Sequence, residues 1–487
     1  MRSLRGALVA VVVVSGTAVA AYAGAGAHGG ASAPELQWRA CRGGDVECAQ
    51  LTVPLDDTNP NDARTIDLAL TRVPALDPDR RIGSLLVNPG GPGVPGAGFA
   101  SEIAGELPAG IQDRFDIIGW DPRGTGRSAG IDCNDDLDGM YALDWDPDTS
   151  AERRALEQAT RAFVDSCVRA TGDRLRFVSS DRTARDMDRI RAALGDEKLT
   201  YLGFSYGTYL GAQYAAQFPQ RVRALALDGA VDPALDAAAA QVEQAAGFEH
   251  SLDLFLEDCA QREDCSFHGG DDPAAEYDAL RARVDDHPVA TDDGRALNGT
   301  LFDIGVAQLL YDGEDSWSSL ADALAAVQRG DASDLVYYSD LYTGRDDDGT
   351  YDDIQGSFLA IGCADGPPMG GVAGVRAIEE QAAAAAPRLG RSIVNNSLAC
   401  AFWPVEAAPV AALHAPDAAP ILVLGTRNDP ATPVKWARGL ADELGSAALV
   451  TVGGARHTAF ASGNRCVDRV VARYLVELDV PRDGKRC

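Results

Sequence analysis

The chain has 487 residues, 46% of them hydrophobic, and its 73 acidic residues against 43 basic ones give a formal charge of −30. That balance excludes a nucleic-acid partner, which demands a basic surface. It is compatible with steering cationic groups, although solubility outside a cell is its simpler cause. The length suits a core domain carrying an insertion.

Arg2 and Arg5 precede the apolar run Ala7–Val14, and small residues follow as far as Ala23 and Ala27. Such a run is too short to span a bilayer and reads as a general secretory signal over residues 1–27, followed by a flexible stretch at 28–34. No later run of about eighteen apolar residues predicts a membrane span. Short apolar runs, bounded by glycine, proline or polar turns, predict strands near Thr65–Val73, Gly83–Asn88, Phe115–Trp120, Leu199–Phe204, Val222–Leu227, Ala419–Gly425 and Ala447–Val452. Between Asp232 and about Ala415 the character changes to alanine-rich helical periodicity, as in Leu235–Val242, Ser319–Val327 and Ala382–Ala386. The expected organisation is a first core part at 35–232, a mainly helical cap insertion at 233–415, and a second core part at 416–487.

Three of the strand ends carry chemistry. The strand Leu199–Phe204 runs into Gly203-Phe204-Ser205-Tyr206-Gly207 and then into a helical pattern. This G-x-S-x-G arrangement places a serine on a sharp strand-to-helix turn, beside the free N–H groups of a helix N-terminus. A serine needs a base, and the base needs an orienting group. Of the six histidines, His28 lies in the N-terminal stretch, and His250, His268, His287 and His414 follow no strand. His457 follows the strand Ala447–Val452, and Asp429 ends the turn after Pro420–Gly425. The chain order Ser205, Asp429, His457 is that of an α/β-hydrolase fold, a mostly parallel sheet flanked by helices. The glycine-rich turn Pro89–Gly93 follows the strand Gly83–Asn88. It predicts a backbone N–H, that of Gly91, aimed at the nucleophile, with the N–H of Tyr206 as second oxyanion donor.

The ten cysteines all lie beyond the signal, which fits an oxidising compartment. Sequence proximity suggests Cys41–Cys48, Cys133–Cys167, Cys259–Cys265, Cys363–Cys400 and Cys466–Cys487. No C-x-x-C occurs, and the acidic run Arg345–Asp353 fails the EF-hand spacing, so no metal and no cofactor are expected.

Several segments together carry a resemblance: Asn88–Gly93, Trp120–Ser128, the turn at Ser205, Leu227–Pro233, Asn428–Pro433 and Gly454–His457. The chain resembles the secreted branch of the proline-iminopeptidase and tripeptidyl-aminopeptidase α/β-hydrolases, and most closely the exported tripeptidyl aminopeptidases of actinobacteria. Pro89 stands where cytoplasmic iminopeptidases usually have histidine, which points to the secreted group. The resemblance implies a secreted, monomeric serine exopeptidase that releases short peptides, tripeptides among them, from free N-termini. It also implies acidic anchors for the substrate amine in the inserted region, where Glu249 and Asp365 are the candidates. A carboxylesterase or a proline iminopeptidase would use the same three residues, and a non-catalytic binding protein on the same fold is the remaining alternative.

Overall fold

Short, continuously apolar runs form the central strands of this computed structural model, which describes residues 36–41, 46–133, 136–267, 272–405 and 413–487. The expected signal at 1–27 and the stretch at 28–34 lie outside the described residues, as does His268. In chain order the strands are β1 (Arg39–Ala40), β2 (Glu47–Pro54), β3 (Thr65–Val73), β4 (Gly83–Asn88), β5 (Phe115–Trp120), β6 (Leu199–Phe204), β7 (Val222–Asp228), β8 (Val289–Ala290), β9 (Ala296–Leu297), β10 (Ile421–Thr426), β11 (Ala447–Val452) and β12 (Lys485–Arg486). All except β8 and β9, which form a separate small hairpin, join one sheet in the order β1-β2-β3-β5-β4-β6-β7-β10-β11-β12. The pairs β1–β2, β2–β3 and β3–β5 are antiparallel. From β5 to β12 every pair is parallel.

Strands β4, β5, β6 and β10 are buried along their whole length, as a parallel sheet covered on both faces requires. Alternate side chains supply two separate cores. Leu86, Ile118, Tyr201, Leu225 and Val423 face the helices Ser180–Ala193, Tyr206–Gln217 and Val434–Leu444. Leu85, Ile117, Leu202, Ala226 and Leu424 face the helices Gly96–Ala104 and Arg465–Glu477 on the other side. The helix after β4 thus packs on one face and the helix after β6 on the opposite one. The two strands pair in register, Asn88 against Gly203. Loops leaving neighbouring strands toward opposite faces open a crevice between them, which is where ligands bind in sheets of this type.

Between β7 and β10 the chain forms mainly helices, among them Ala237–Gln261, Gly299–Tyr311, Trp317–Gln328, Ser333–Thr343, Ile354–Asp365 and Gly371–Ala385. Their shared apolar core also takes in Ile131, Leu137, Trp145, Leu156, Phe163 and Val178, from the segment between β5 and β6. The helical layer is therefore built from two stretches of chain rather than from 233–415 alone. Five disulfides join Cys41–Cys48, Cys133–Cys167, Cys259–Cys265, Cys363–Cys400 and Cys466–Cys487. The last ties the chain end at β12 to the helix Arg465–Glu477. Among the described residues no helix is long and apolar enough to cross a membrane.

Candidate active site

Ser205 stands between β6 and the helix Tyr206–Gln217 with φ +53°, a value that a non-glycine residue holds only when its surroundings enforce it. The enforcement is visible. The Ser205 N–H donates to the Asp228 carbonyl at 2.8 Å, and the Ser205 carbonyl accepts from the Thr208 N–H at 2.8 Å and its hydroxyl at 2.6 Å. The two motif glycines serve close approach: a β-carbon on Gly203 would lie 2.5 Å from the Gly207 carbonyl oxygen, and one on Gly207 2.7 Å from Asn88 Oδ1.

The β4 loop closes on this turn from the neighbouring strand. Gly90 and Gly91 have φ of +104° and +105°. A β-carbon on Gly90 would meet the Phe204 carbonyl oxygen at 2.6 Å and Ser205 Cβ at 3.0 Å. The sequence points to Gly91 and not to Gly90, because a run of glycines does not say which one makes the closest approach. Gly91 lines, together with Ser205, both a smaller cavity of about 130 Å³ and an open cleft of about 480 Å³. Tyr206 heads its helix, so its N–H has no intrahelical acceptor.

His457 borders the open cleft with Ser205. Both oxygens of Asp429 lie 2.9 Å from His457 Nδ1. Asp429 is itself held by the N–H groups of Ala431 at 2.9 Å and Thr432 at 2.8 Å and by the Thr432 hydroxyl at 3.1 Å. This fixes the imidazole with Nδ1–H toward the carboxylate, and leaves Nε2, buried and without a hydrogen-bond partner, as the nitrogen able to accept a proton. Burial of the ring is the largest influence on its pKa and pulls it down. The charge and hydrogen bond of Asp429, with smaller contributions from Asp228 and Asp312, reverse this and leave the pKa above the usual value near 6.5.

Two further groups hold the histidine loop, and neither is evident as a support from the sequence. Asp228, fully buried at the end of β7, accepts the N–H groups of Ala459 at 2.8 Å and Phe460 at 2.7 Å through Oδ2. Its carbonyl holds the Ser205 N–H, so one residue braces both the serine turn and the histidine loop. Its position inside the Leu227–Pro233 motif is the only sequence signal. From the inserted helices, the Tyr311 carbonyl accepts the His457 N–H at 2.7 Å, and the Tyr311 ring packs edge-on against the imidazole at 5.4 Å.

The two carboxylates expected to read a substrate amine are engaged elsewhere. Glu249 is buried, with Oε1 on Arg388 Nη1 at 3.0 Å and Oε2 accepting the N–H groups of Arg388 at 3.0 Å and Leu389 at 3.2 Å. Asp365 accepts the Ser180 N–H at 2.8 Å and the Tyr206 hydroxyl. Neither lines the cavity or the cleft that contains Ser205. The expectation of amine recognition by Glu249 and Asp365 is therefore corrected: both are turned into the protein, because the packing of their helices, which sequence position does not encode, decides where each carboxylate points. The smaller cavity is walled by Trp145, Phe248, Ile304, Tyr342, Phe358 and Ile393 among others, and Asp303 is the carboxylate on its lining.

A family profile described as the alpha/beta hydrolase fold matches residues 83–463. Serine protease Hip1 of Mycobacterium tuberculosis is 37% identical over 479 residues, covering 93% of this chain and 91% of that protein. Carboxylesterase B of the same organism is 37% identical over 491 residues, covering 95% and 92%. The tripeptidyl aminopeptidase of Streptomyces lividans is 30% identical over 447 residues, covering 88% and 81%. Among solved structures, proline iminopeptidase of Mycobacterium smegmatis is 16% identical with a TM-score of 0.35, covering 88% of this chain and 98% of that one. The chain belongs to the alpha/beta hydrolase family.

Proposed function

We propose that this hydrolase is a secreted serine exopeptidase that removes short peptides, tripeptides in particular, from free N-termini through an acyl-enzyme. Ser205 Oγ attacks the scissile carbonyl carbon while its proton passes to His457 Nε2, and Asp429 stabilises the imidazolium that forms. The N–H groups of Gly91 and Tyr206 receive the oxyanion. Collapse expels the leaving amine, which takes the proton from His457. Water, deprotonated by the same nitrogen, then cleaves the Ser205 ester and releases the short peptide acid. The reading rests above all on one observation: an imidazole fixed by Asp429 at 2.9 Å, on the cleft that Ser205 also lines. The inserted helices, proposed as a cap, roof this cleft with Tyr311 and Phe358. Five disulfides support the extracellular setting.

A carboxylesterase activity is the second reading, favoured by the relative of that name at 37% identity, above the 30% of the tripeptidyl aminopeptidase. A substrate panel decides between them: a free-amine tripeptidyl arylamide, its N-acetylated form and a p-nitrophenyl ester, each with wild type and Ser205→Ala. The exopeptidase reading expects the free-amine arylamide to be preferred by at least roughly tenfold in kcat/KM. Equal rates on both arylamides would remove the free-amine requirement and leave a serine peptidase that is not an exopeptidase, and hydrolysis of the ester alone would turn the conclusion to an esterase.

A further inference from the structure

Asp365 ends the helix Ile354–Asp365, two residues beyond Cys363, which is bonded to Cys400. Its carboxylate meets two other helices at their first residues. Oδ1 accepts the N–H of Ser180, which opens the helix Ser180–Ala193, at 2.8 Å. That helix lacks a side-chain cap from its own N-cap residue, Ser179, so a carboxylate from another part of the chain takes the place at its positive end. Oδ2 accepts the phenol of Tyr206, the residue that follows Ser205 and opens the helix Tyr206–Gln217. Ser180 Oγ stands 3.0 Å from the same phenol oxygen, closing a three-membered network.

Among the described residues no lysine or arginine forms an ion pair with Asp365, whose donors are the Ser180 N–H and the Tyr206 hydroxyl. A half-buried carboxylate without a counter-ion is costly in stability, and side chains of this kind concentrate at functional sites. The charged and titratable groups that face it are few. Tyr206 and Tyr209 face it from the helix after Ser205, and Asp181 from the helix that Ser180 opens.

We propose that Asp365 is a positioning residue for the nucleophile turn: by holding the Tyr206 side chain it fixes the peptide unit between Ser205 and Tyr206, whose N–H receives the oxyanion. This rests on the oxyanion role given to Tyr206 above. An ionised Asp365 offers acceptors only, which suits the two donors that point at it. A protonated one carries a donor of its own, and the phenol must then turn or lose its partner. Burial lifts the carboxyl to about 6, against the lowering effect of the Tyr206 and Ser180 hydrogen bonds, so the network changes state in a range where activity is measurable.

The experiment uses the full-length protein, a p-nitrophenyl ester substrate that has no amine to titrate, and phosphonate titration of Ser205 to count active molecules. Asp365→Asn and Tyr206→Phe are each expected to lower kcat by about tenfold with KM little changed, less than direct removal of an oxyanion donor would. The double variant is expected to be no worse than the poorer single one, since both break one link. Wild-type kcat/KM should fall on the acid side more steeply than one proton allows, over the roughly tenfold that protonation of Asp365 removes, and Asp365→Asn with one-proton steepness throughout. Wild-type kcat in Asp365→Asn, additive losses in the double variant, or an unaltered acid limb would each overturn the proposal. Tyr206→Phe removes a single oxygen and keeps the test decisive if Asp365→Asn fails to fold. If Ser205→Ala is inactive while Asp365→Asn behaves as wild type, this proposal alone fails; if Ser205→Ala remains active, the parent reading fails instead.

Discussion

Replacing Gly90 by alanine puts a β-carbon into the tightest space around Ser205. The new atom would lie 2.6 Å from the Phe204 carbonyl oxygen, 3.0 Å from Ser205 Cβ and 3.1 Å from the Tyr206 nitrogen, at a φ of +104° that L side chains rarely adopt. The backbone conformation costs about 1–3 kcal/mol for a residue with a side chain. Overpacking against a backbone that cannot swing aside adds about 1–3 kcal/mol. A combined penalty of roughly 2–6 kcal/mol is smaller than most of the 5–15 kcal/mol that hold a typical domain together, so the variant is expected to fold with a lowered melting temperature, which the unfolding measurement checks. The strain is relieved by moving the Phe204–Tyr206 segment, and a displacement of about 1 Å at a reacting group costs on the order of a hundredfold in rate. The assay pairs kcat on an ester substrate with thermal unfolding. Gly105→Ala serves as control, because no atom lies within 4 Å of a β-carbon there and its φ is an ordinary −69°. Wild-type kcat in folded Gly90→Ala would refute the claim that this glycine sets the position of the nucleophile.

Ser205→Ala and His457→Ala are expected to lose at least about a thousandfold in kcat, measured on the same ester, with unfolding transitions close to wild type. The base must be neutral to accept the serine proton, and His457 is raised above its usual value, so in Asp365→Asn, where one ionisation is removed, the acid limb of kcat/KM should have its midpoint above about 6.5; a midpoint below about 6 would contradict the Asp429 pairing. Glu249→Gln should lower stability by about 1–3 kcal/mol in urea unfolding, through its weakened bonds to Arg388 and Leu389, and leave KM for free-amine peptides unchanged. A selective rise in that KM would return Glu249 to amine recognition.

The parts of this molecule that local pattern determines are legible in the chain itself. Strands β4, β5, β6, β10 and β11 are apolar runs closed by glycine or polar turns, and the turns carrying Ser205, Asp429 and His457 stand at their ends. Strand β2 escapes such a reading because Glu47–Pro54 alternates between buried and exposed and includes a cysteine, polar residues and a terminal proline, too mixed to register as a buried run. The joining of Ile131–Val178 to the inserted helices is out of reach for a different reason: an amphipathic pattern shows that a helix has an apolar face, not which core receives it. Glu249 and Asp365 illustrate the same gap at single residues. Each sits on a helix where a rotation of one position decides between cavity and interior.

The sheet order carries a consequence for how the chain reaches its folded state. β7 and β10 lie side by side, with Leu422 opposite Ala226 and Leu424 opposite Asp228, while the entire helical insertion separates them along the chain. Until β10 arrives, β7 presents an open edge with unpaired backbone groups, and neither Asp429 nor His457 has a place to dock. Pairings between such distant segments form slowly, and the exposed edge invites association with other chains meanwhile. Truncation anywhere before β10 should therefore yield an aggregating product rather than a smaller working enzyme, and assembly of the histidine loop should be among the last events of folding.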